Sequence, residues 1–392
     1  MSATNSFDTV CIRGGQDADP THGGILPPIY QTAVFRKKVV GEDQPFSYSR
    51  VENPTVAVLE SRLGDLENCL PAVCFSSGTS ATSTLFLALL EKGDRVVCSD
   101  VVYGGTYRFL AEVLGKLGVS CEFVDTSDLQ ATEAALQKPT RLLFLESPAN
   151  PTLKLTDIEG NCNLARRFGA LTVVDNTFLT PVLQRPLDLG ADLTLYSTTK
   201  FIDGHNATVG GSVCTRSAEL REILVYHRKC IGTIQTANNA FLTLQGLKTL
   251  PLRLRQQTSN AIEVAQLLAD NPHVKQVIHP DLPSFPQGDL ARRQQKSGGS
   301  LVTVILHGGL AEASRALGAL KLCTAAQSLG TVETLVTHNA TMTHSEVPDK
   351  RRLQLGIVDG LIRISVGLED PREIAADLEQ ALTFAFQEVC HA

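Results

Sequence analysis

Seven short apolar runs between residues 72 and 216 constrain the fold more than any other feature. They read AVCFSS, RVVCSD, SCEFVD, RLLFLES, LTVVDN, DLTLYS and GSVCTR, and helix-like stretches such as ATSTLFLALLEKG and GTYRFLAEVLGKLG separate several of them. Runs that stay apolar along their length, rather than at every second position, belong to strands covered on both faces. Strands of that kind alternating with amphipathic helices predict an α/β fold around a mostly parallel sheet. In such sheets ligands gather beyond the carboxyl ends of the strands, so the residues that close each run are the first candidates for function.

The flanks differ in texture. Residues 1–55 are rich in Gly, Pro and Asn (THGGILPPIYQTAVF, FSYSRVENPT) and are expected to form an extended arm rather than a packed unit. A large domain is expected over residues 56–250. A smaller α/β domain is expected over 251–392, opening with the helical pattern TLPLRLRQQTSNAIEVAQLLADN and closing with REIAADLEQALTFAFQEV. A net charge of −6 argues against general affinity for nucleic acid or anionic membrane. The start MSATNSFDTVCIRGG lacks an apolar signal core, and no apolar run is long enough to span a bilayer. Ten scattered cysteines without a C-x-x-C pair fit free thiols in a reducing cytoplasm better than a zinc cage or disulfide framework, and no metal-ligand spacing is present.

Five features can carry chemistry. Lys200 follows Ser197, Thr198 and Thr199 just past a strand. A lysine amine becomes a nucleophile when desolvation or a neighbouring cation lowers its pKa, although most lysines are simply solvated. Asp175 ends LTVVD, where a carboxylate can face a protonated heterocycle or merely cap a turn. SSGTSAT (76–82) stands between a strand and an apolar helix, which suits an anion at Gly78 and Thr79 or an ordinary N-cap. Tyr103 precedes two glycines and can stack on a flat ligand or pack in a core. Arg363, inside the apolar run LIRISVG, requires a carboxylate, whether the protein's own or an amino acid's.

Together the motifs DLTLYSTTKFIDGHN, YSRVENPT, SSGTSAT, YGGTYR, ESPANPTLKLTDI, VVDNTF, QSLGTVETLVTHNATMTH and IRISVGLED resemble the Cys/Met-metabolism family of pyridoxal phosphate enzymes, over nearly the whole chain. The resemblance implies a fold type I architecture, pyridoxal 5'-phosphate as cofactor, and γ-elimination or γ-replacement on a sulfur-containing or homoserine-derived amino acid, as in cystathionine γ-lyase or γ-synthase. It implies that Lys200 binds the cofactor aldehyde and later carries protons, that Asp175 faces the ring nitrogen, and that Tyr103 stacks on the ring and assists as an acid. Gly78, Thr79, Ser197 and Thr199 would hold the phosphate. Tyr48 and Arg50 would reach the phosphate in a neighbouring subunit of a homotetramer, with the arm as the partner contact. Arg363, Ser328 and Asn150 would bind the substrate α-carboxylate, and Arg108 a distal carboxylate. Where family members acting on cystathionine have Glu, this chain has Gln327, and Gly105 replaces the cysteine of methionine γ-lyases. Thr331, Asn239, Gln245 and Ala207 also depart from the family's usual residues. Methionine γ-lyase, cystathionine β-lyase or a specialised γ-substitution enzyme are the alternatives within the family. Outside it, a scaffold that has lost catalysis is disfavoured by the retained Lys200, Asp175, Tyr103 and Arg363, and a nicotinamide enzyme by the missing glycine fingerprint.

Overall fold

The computed structural model describes residues 5–19, 21–345 and 347–387. Each of the seven apolar runs contributes a strand: β1 (Val73–Phe75), β2 (Arg95–Ser99), β3 (Ser120–Val124), β4 (Leu142–Glu146), β5 (Leu171–Asp175), β6 (Leu193–Tyr196) and β7 (Gly211–Thr215). They form one sheet in the order β1-β7-β6-β5-β4-β2-β3. From β6 to β3 every pairing is parallel, while β7 is antiparallel to both β6 and β1.

Alternate residues of these strands serve two different cores, which is why the runs are apolar throughout. Val96, Cys98, Phe144, Val173 and Leu195 pack with Leu85, Phe86 and Leu224 of the Gly78–Leu89 and Ala218–Ile231 helices. Val97, Leu143, Leu145 and Val174 pack with Leu136, Ile158 and Cys162 of the Leu129–Leu136 and Ile158–Arg167 helices on the other face. All these strand side chains are fully buried. At about 25 cal/mol per Å² of apolar surface removed from water, each contributes roughly 1.5–3 kcal/mol, and together they hold the strand ends in register.

A second sheet, order β10-β11-β12-β9-β8, comes from β8 (Val274–Ile278), β9 (Leu301–Leu306), β10 (Thr324–Ala325), β11 (Leu335–His338) and β12 (Leu361–Ser365). Only β10 and β11 pair in parallel. The helices Leu250–Ala269 and Pro371–Phe386 cover it. Residues 388 and 389, which close the expected final helix, lie outside the described residues, as do residues 1–4 and Cys390.

Two stretches differ from expectation. The arm contains a helix, Phe7–Arg13, docked on the Pro54–Glu67 helix, with Cys11 fully buried between them. The buried Arg62 fastens it, donating from Nε to the Gly14 carbonyl (2.7 Å) and from Nη1 to the Cys11 carbonyl (3.4 Å). The helix forms on local signals, with Ser6 as N-cap and no Gly or Pro within it, and Arg62 ties it to the Pro54–Glu67 helix. The single helix expected over 105–118 is instead a short α-helix, Gly104–Arg108, a π-helical turn, Phe109–Leu114, and a 3-10 turn, Gly115–Leu117. A π turn rotates the side chains beyond it, and here Phe109 stacks on Phe86 with ring centres 6.3 Å apart. Among the described residues, no helix is long and apolar enough to cross a membrane.

Candidate functional site

A cavity of about 250 Å³ opens where the carboxyl ends of β4, β5 and β6 face the second sheet. It is lined by Gly78, Thr79, Tyr103, Asn150, Asp175, Ser197, Thr199, Lys200, Gln327 and Arg363, with Glu146 and Thr177 between them.

At one end the Gly78–Leu89 helix begins. Its N-cap Ser77 accepts the Ser80 N–H (2.9 Å), and Ser80 Oγ accepts the Ser77 N–H (2.8 Å). The N–H groups of Gly78 and Thr79 therefore point out of the helix end toward the cavity, where the helix dipole favours an anion. Gly78 is required there, because a Cβ would lie 2.8 Å from Ser197 Cβ and Oγ. Thr199 Oγ1 donates to the Gly210 carbonyl (3.1 Å) and accepts the Gly210 N–H (3.0 Å), which fixes the turn leading into Lys200.

Lys200 Nζ donates to Ser328 Oγ at 3.0 Å. Burial, and to a smaller degree the Arg363 guanidinium, lower its pKa to about 8. The amine is thus far closer to its reactive free-base form than a surface lysine.

Asp175 and Glu146 end adjacent parallel strands and are direct register partners. Burial raises Asp175 to about 6, while two bonds from Thr177 (N–H at 3.0 Å, Oγ1 at 2.6 Å) work in the other direction. Burial and the neighbouring Asp175 push Glu146 up to about 8, opposed by backbone N–H groups and by Arg363. Two carboxylates side by side in a desolvated wall hold two negative charges only with a cation between or beside them. A protonated ring nitrogen is such a cation. With the anion-favouring helix end and the activated amine in the same cavity, the donor set fits pyridoxal phosphate.

Arg363 comes from the middle of β12 and is fully buried. Its Nη1 donates to Asn150 Oδ1 (2.8 Å), and its Nη2 to the Ser328 carbonyl (2.9 Å) and Thr337 Oγ1 (3.1 Å). Its Nε is buried without a hydrogen-bond partner among the described residues. A buried guanidinium with neutral partners and a spare donor is prepared for a carboxylate.

Tyr103 lies across the mouth, 43% exposed, and its N–H donates to Glu146 Oε2 at 2.8 Å. Gly105 makes room for its ring: a Cβ at that position would sit 2.5 Å from Tyr103 Cε1.

The remaining expected residues lie elsewhere. Arg108 is exposed at the end of its short helix and is not part of the cavity wall. Arg50 donates to the Lys229 carbonyl (2.6 Å) and lies over the Tyr48 ring, 5.1 Å from its centre, so neither reaches the cavity of its own chain. Glu146 and Thr177 were missed from sequence. Glu146 carries the same signal as Asp175, an acidic residue closing an apolar run, and Thr177 stands two residues after Asp175, the spacing of a side-chain-capped turn.

The family model described as Cys/Met metabolism PLP-dependent enzyme matches residues 8–383. A cystathionine beta-lyase of Coxiella burnetii is 41% identical over 388 residues, covering 97% of this chain and 100% of the relative. A cystathionine gamma-lyase of Bacillus subtilis is also 41% identical, covering 95% of this chain and 98% of its own. The crystal structure of cystathionine gamma synthase from Xanthomonas oryzae pv. oryzae, in complex with aminoacrylate and cysteine, superposes with a TM-score of 0.95 at 39% identity, covering 97% of this chain and 98% of that one. Three differently named activities stand at nearly equal identity, so overall similarity does not choose among them.

Proposed function

Because the chain belongs to the pyridoxal-phosphate-dependent enzymes of Cys/Met metabolism, we propose that it carries out γ-elimination or γ-replacement on a sulfur-containing or homoserine-derived amino acid, as a cystathionine γ-lyase or γ-synthase. One observation carries this reading. A lysine of lowered pKa, 3.0 Å from Ser328, shares a cavity with an arginine whose buried Nε is unpartnered.

In this reading the bound cofactor supplies an electron sink that acidifies the protons on the substrate's α- and β-carbons. Asp175, fixed by Thr177, holds the proton on the ring nitrogen, and the Gly78 and Thr79 N–H groups with Ser197 and Thr199 hold the phosphate. Arg363, braced by Asn150 and Ser328, orients the α-carboxylate so that the α-hydrogen faces Lys200. Lys200 Nζ removes that proton and returns it later, and its pKa of about 8 suits both directions near neutral pH. The Tyr103 hydroxyl covers the site and delivers a proton to the departing γ-substituent. Gln327 contacts the distal part of the substrate.

The same reading assigns residues 1–55 to an arm, 56–250 to the cofactor domain and 251–392 to a smaller domain. Exposed apolar side chains along the arm, including Ile25, Val34 and Val40, support a contact with another copy of the chain. A homotetramer that shares sites would bring Tyr48 and Arg50 to a neighbour's phosphate. The nine described cysteines are all free, which suits the cytoplasm.

The test is product analysis with cystathionine, with O-succinylhomoserine plus cysteine, and with methionine. Formation of 2-oxobutyrate or of cystathionine supports the proposal. Pyruvate from cystathionine would move the assignment to β-lyase, and methanethiol to methionine γ-lyase. A purified protein that stays colourless with added pyridoxal phosphate would overturn the reading as a whole.

A further inference from the structure

Glu146 does something that no role above covers. Its Oε2 accepts the Tyr103 N–H (2.8 Å), and its Oε1 accepts the Asn150 N–H (3.1 Å). Tyr103 lies in the loop that follows β2, and Asn150 in the loop that follows β4. These are neighbouring strands whose loops reach different parts of the substrate site. The Tyr103 side covers the mouth, and the Asn150 side holds Arg363 through Oδ1 (2.8 Å).

The clamp stands where other restraints are weak. The Gly104–Arg108 helix starts at Tyr103 with no side-chain cap, so its first turn is not pinned by its own sequence. Tyr103 is followed by two glycines, the most permissive residues for backbone movement. Glu146, by contrast, is rigid. It is 5% exposed, its backbone is held in the β4–β5 ladder, and its N–H donates to Ser99 Oγ (3.4 Å).

We propose that Glu146 is a positioning residue whose two carboxylate oxygens tie the backbone of Tyr103 to that of Asn150, setting the spacing between the side chain that covers the cofactor ring and the pair that binds the substrate carboxylate. The inference rests on the pyridoxal phosphate reading of the cavity and not on the identity of the γ-substituent. Both its carboxylate oxygens are taken up by main-chain N–H groups, so it acts through Tyr103 and Asn150.

The chemistry of the clamp predicts which replacement breaks it. Two N–H donors need two acceptors, and Glu146 would supply them as a carboxylate in the holoenzyme, where a protonated ring nitrogen relieves the repulsion from Asp175 that raises it. Glutamine keeps the volume but offers one acceptor and one NH₂, so one loop must release its bond or face a donor with a donor. Aspartate keeps both oxygens on a side chain shorter by one methylene and cannot span both N–H groups.

The test uses the holoenzyme and its Glu146→Gln and Glu146→Asp variants. We expect Glu146→Gln to lose at least tenfold in kcat/KM, with part of the loss in KM. The dichroism induced in the cofactor's visible band should weaken, and the dissociation constant for pyridoxal phosphate should rise severalfold. In an Asn150→Ala background the same substitution should cost severalfold less than in the wild type, because one of the two side chains it positions, the Asn150 amide that holds Arg363, is gone while the loss through Tyr103 remains. Glu146→Asp, which also loses one of the two bonds, should move all three readouts in the same direction, and it decides the matter if Glu146→Gln does not fold. A variant that is less stable to heat yet keeps wild-type dichroism, cofactor affinity and kcat/KM would overturn the proposal, as would equal losses with and without Asn150. Failure of the wild type to bind pyridoxal phosphate is a different outcome, visible before any variant is made, and would count against the cavity's reading instead.

Discussion

The lowered pKa of Lys200 gives a test that needs neither substrate nor cofactor. With its pKa near 8 rather than the ordinary 10.5, roughly a quarter of the amine is free base at pH 7.5, against about one part in a thousand for a solvated lysine. The assay is competitive acetylation of the apoprotein between about pH 6 and pH 11, with peptides read by mass spectrometry. A short lysine-containing peptide added to the same reaction serves as the solvated reference. The Lys200 peptide should label with a midpoint near 8, and the reference peptide with one above 10. Arg363→Met should raise the Lys200 midpoint, because it removes a neighbouring cation. Since burial is the larger cause and is retained, the midpoint should stay nearer 8 than 10.5. A wild-type Lys200 midpoint equal to that of the reference peptide would refute the argument. A midpoint that reached 10.5 in Arg363→Met would refute the ordering of the two causes.

Four further outcomes follow from particular contacts. Glu67 is fully buried, accepts the Tyr196 hydroxyl through Oε1 and leaves Oε2 unpartnered; burial raises it to about 7. A carboxyl raised in the folded state loses stability as pH climbs from its unfolded value through about 7, so Glu67→Gln should gain on the wild type by about 1–3 kcal/mol between pH 5.5 and pH 8.5. A thermal-melt difference that is flat over that range would contradict this. Gly105→Ala should turn the Tyr103 ring away from its present position, lowering kcat roughly tenfold while the melting temperature changes little, because the clash is with a movable ring; unchanged kcat would mean the ring's placement does not matter. Asp175→Asn should lower kcat/KM by roughly 10²–10³ by removing the charge that faces the ring nitrogen, and a loss below tenfold would dismiss that role. Finally, equal mixing of Lys200→Ala and Arg50→Ala subunits should restore about one quarter of wild-type activity if sites are shared across a two-fold interface; no recovery in demonstrated hybrids would exclude the sharing.

What could be read from sequence followed from how local its cause was. The seven strands of the large sheet were legible because each needs only its own apolar residues, and Asp175 and Lys200 because a polar group closing such a run is conspicuous. The β10–β11 pair was not, since CTAAQSLGTVETLVTHN has neither alternation nor a continuous apolar stretch. Its shape comes from contacts made far along the chain, such as Gly330 N–H to Ser365 Oγ and Thr334 to Glu369. The docking of the Phe7–Arg13 helix depends likewise on Arg62, nearly fifty residues away. Arg108 is a different case: nothing in its own segment marks a role, and in this chain it stands exposed outside the cavity wall, beside Phe109, which lines it. Glu146 sits between these cases. Its position was as legible as that of Asp175, yet its work was not, because the groups it joins are backbone N–H groups that every residue except proline possesses, whatever its side chain. Residues that act by side-chain chemistry announce themselves by type, while residues that act by accepting from the main chain are found only when the fold has brought two loops within reach of one carboxylate.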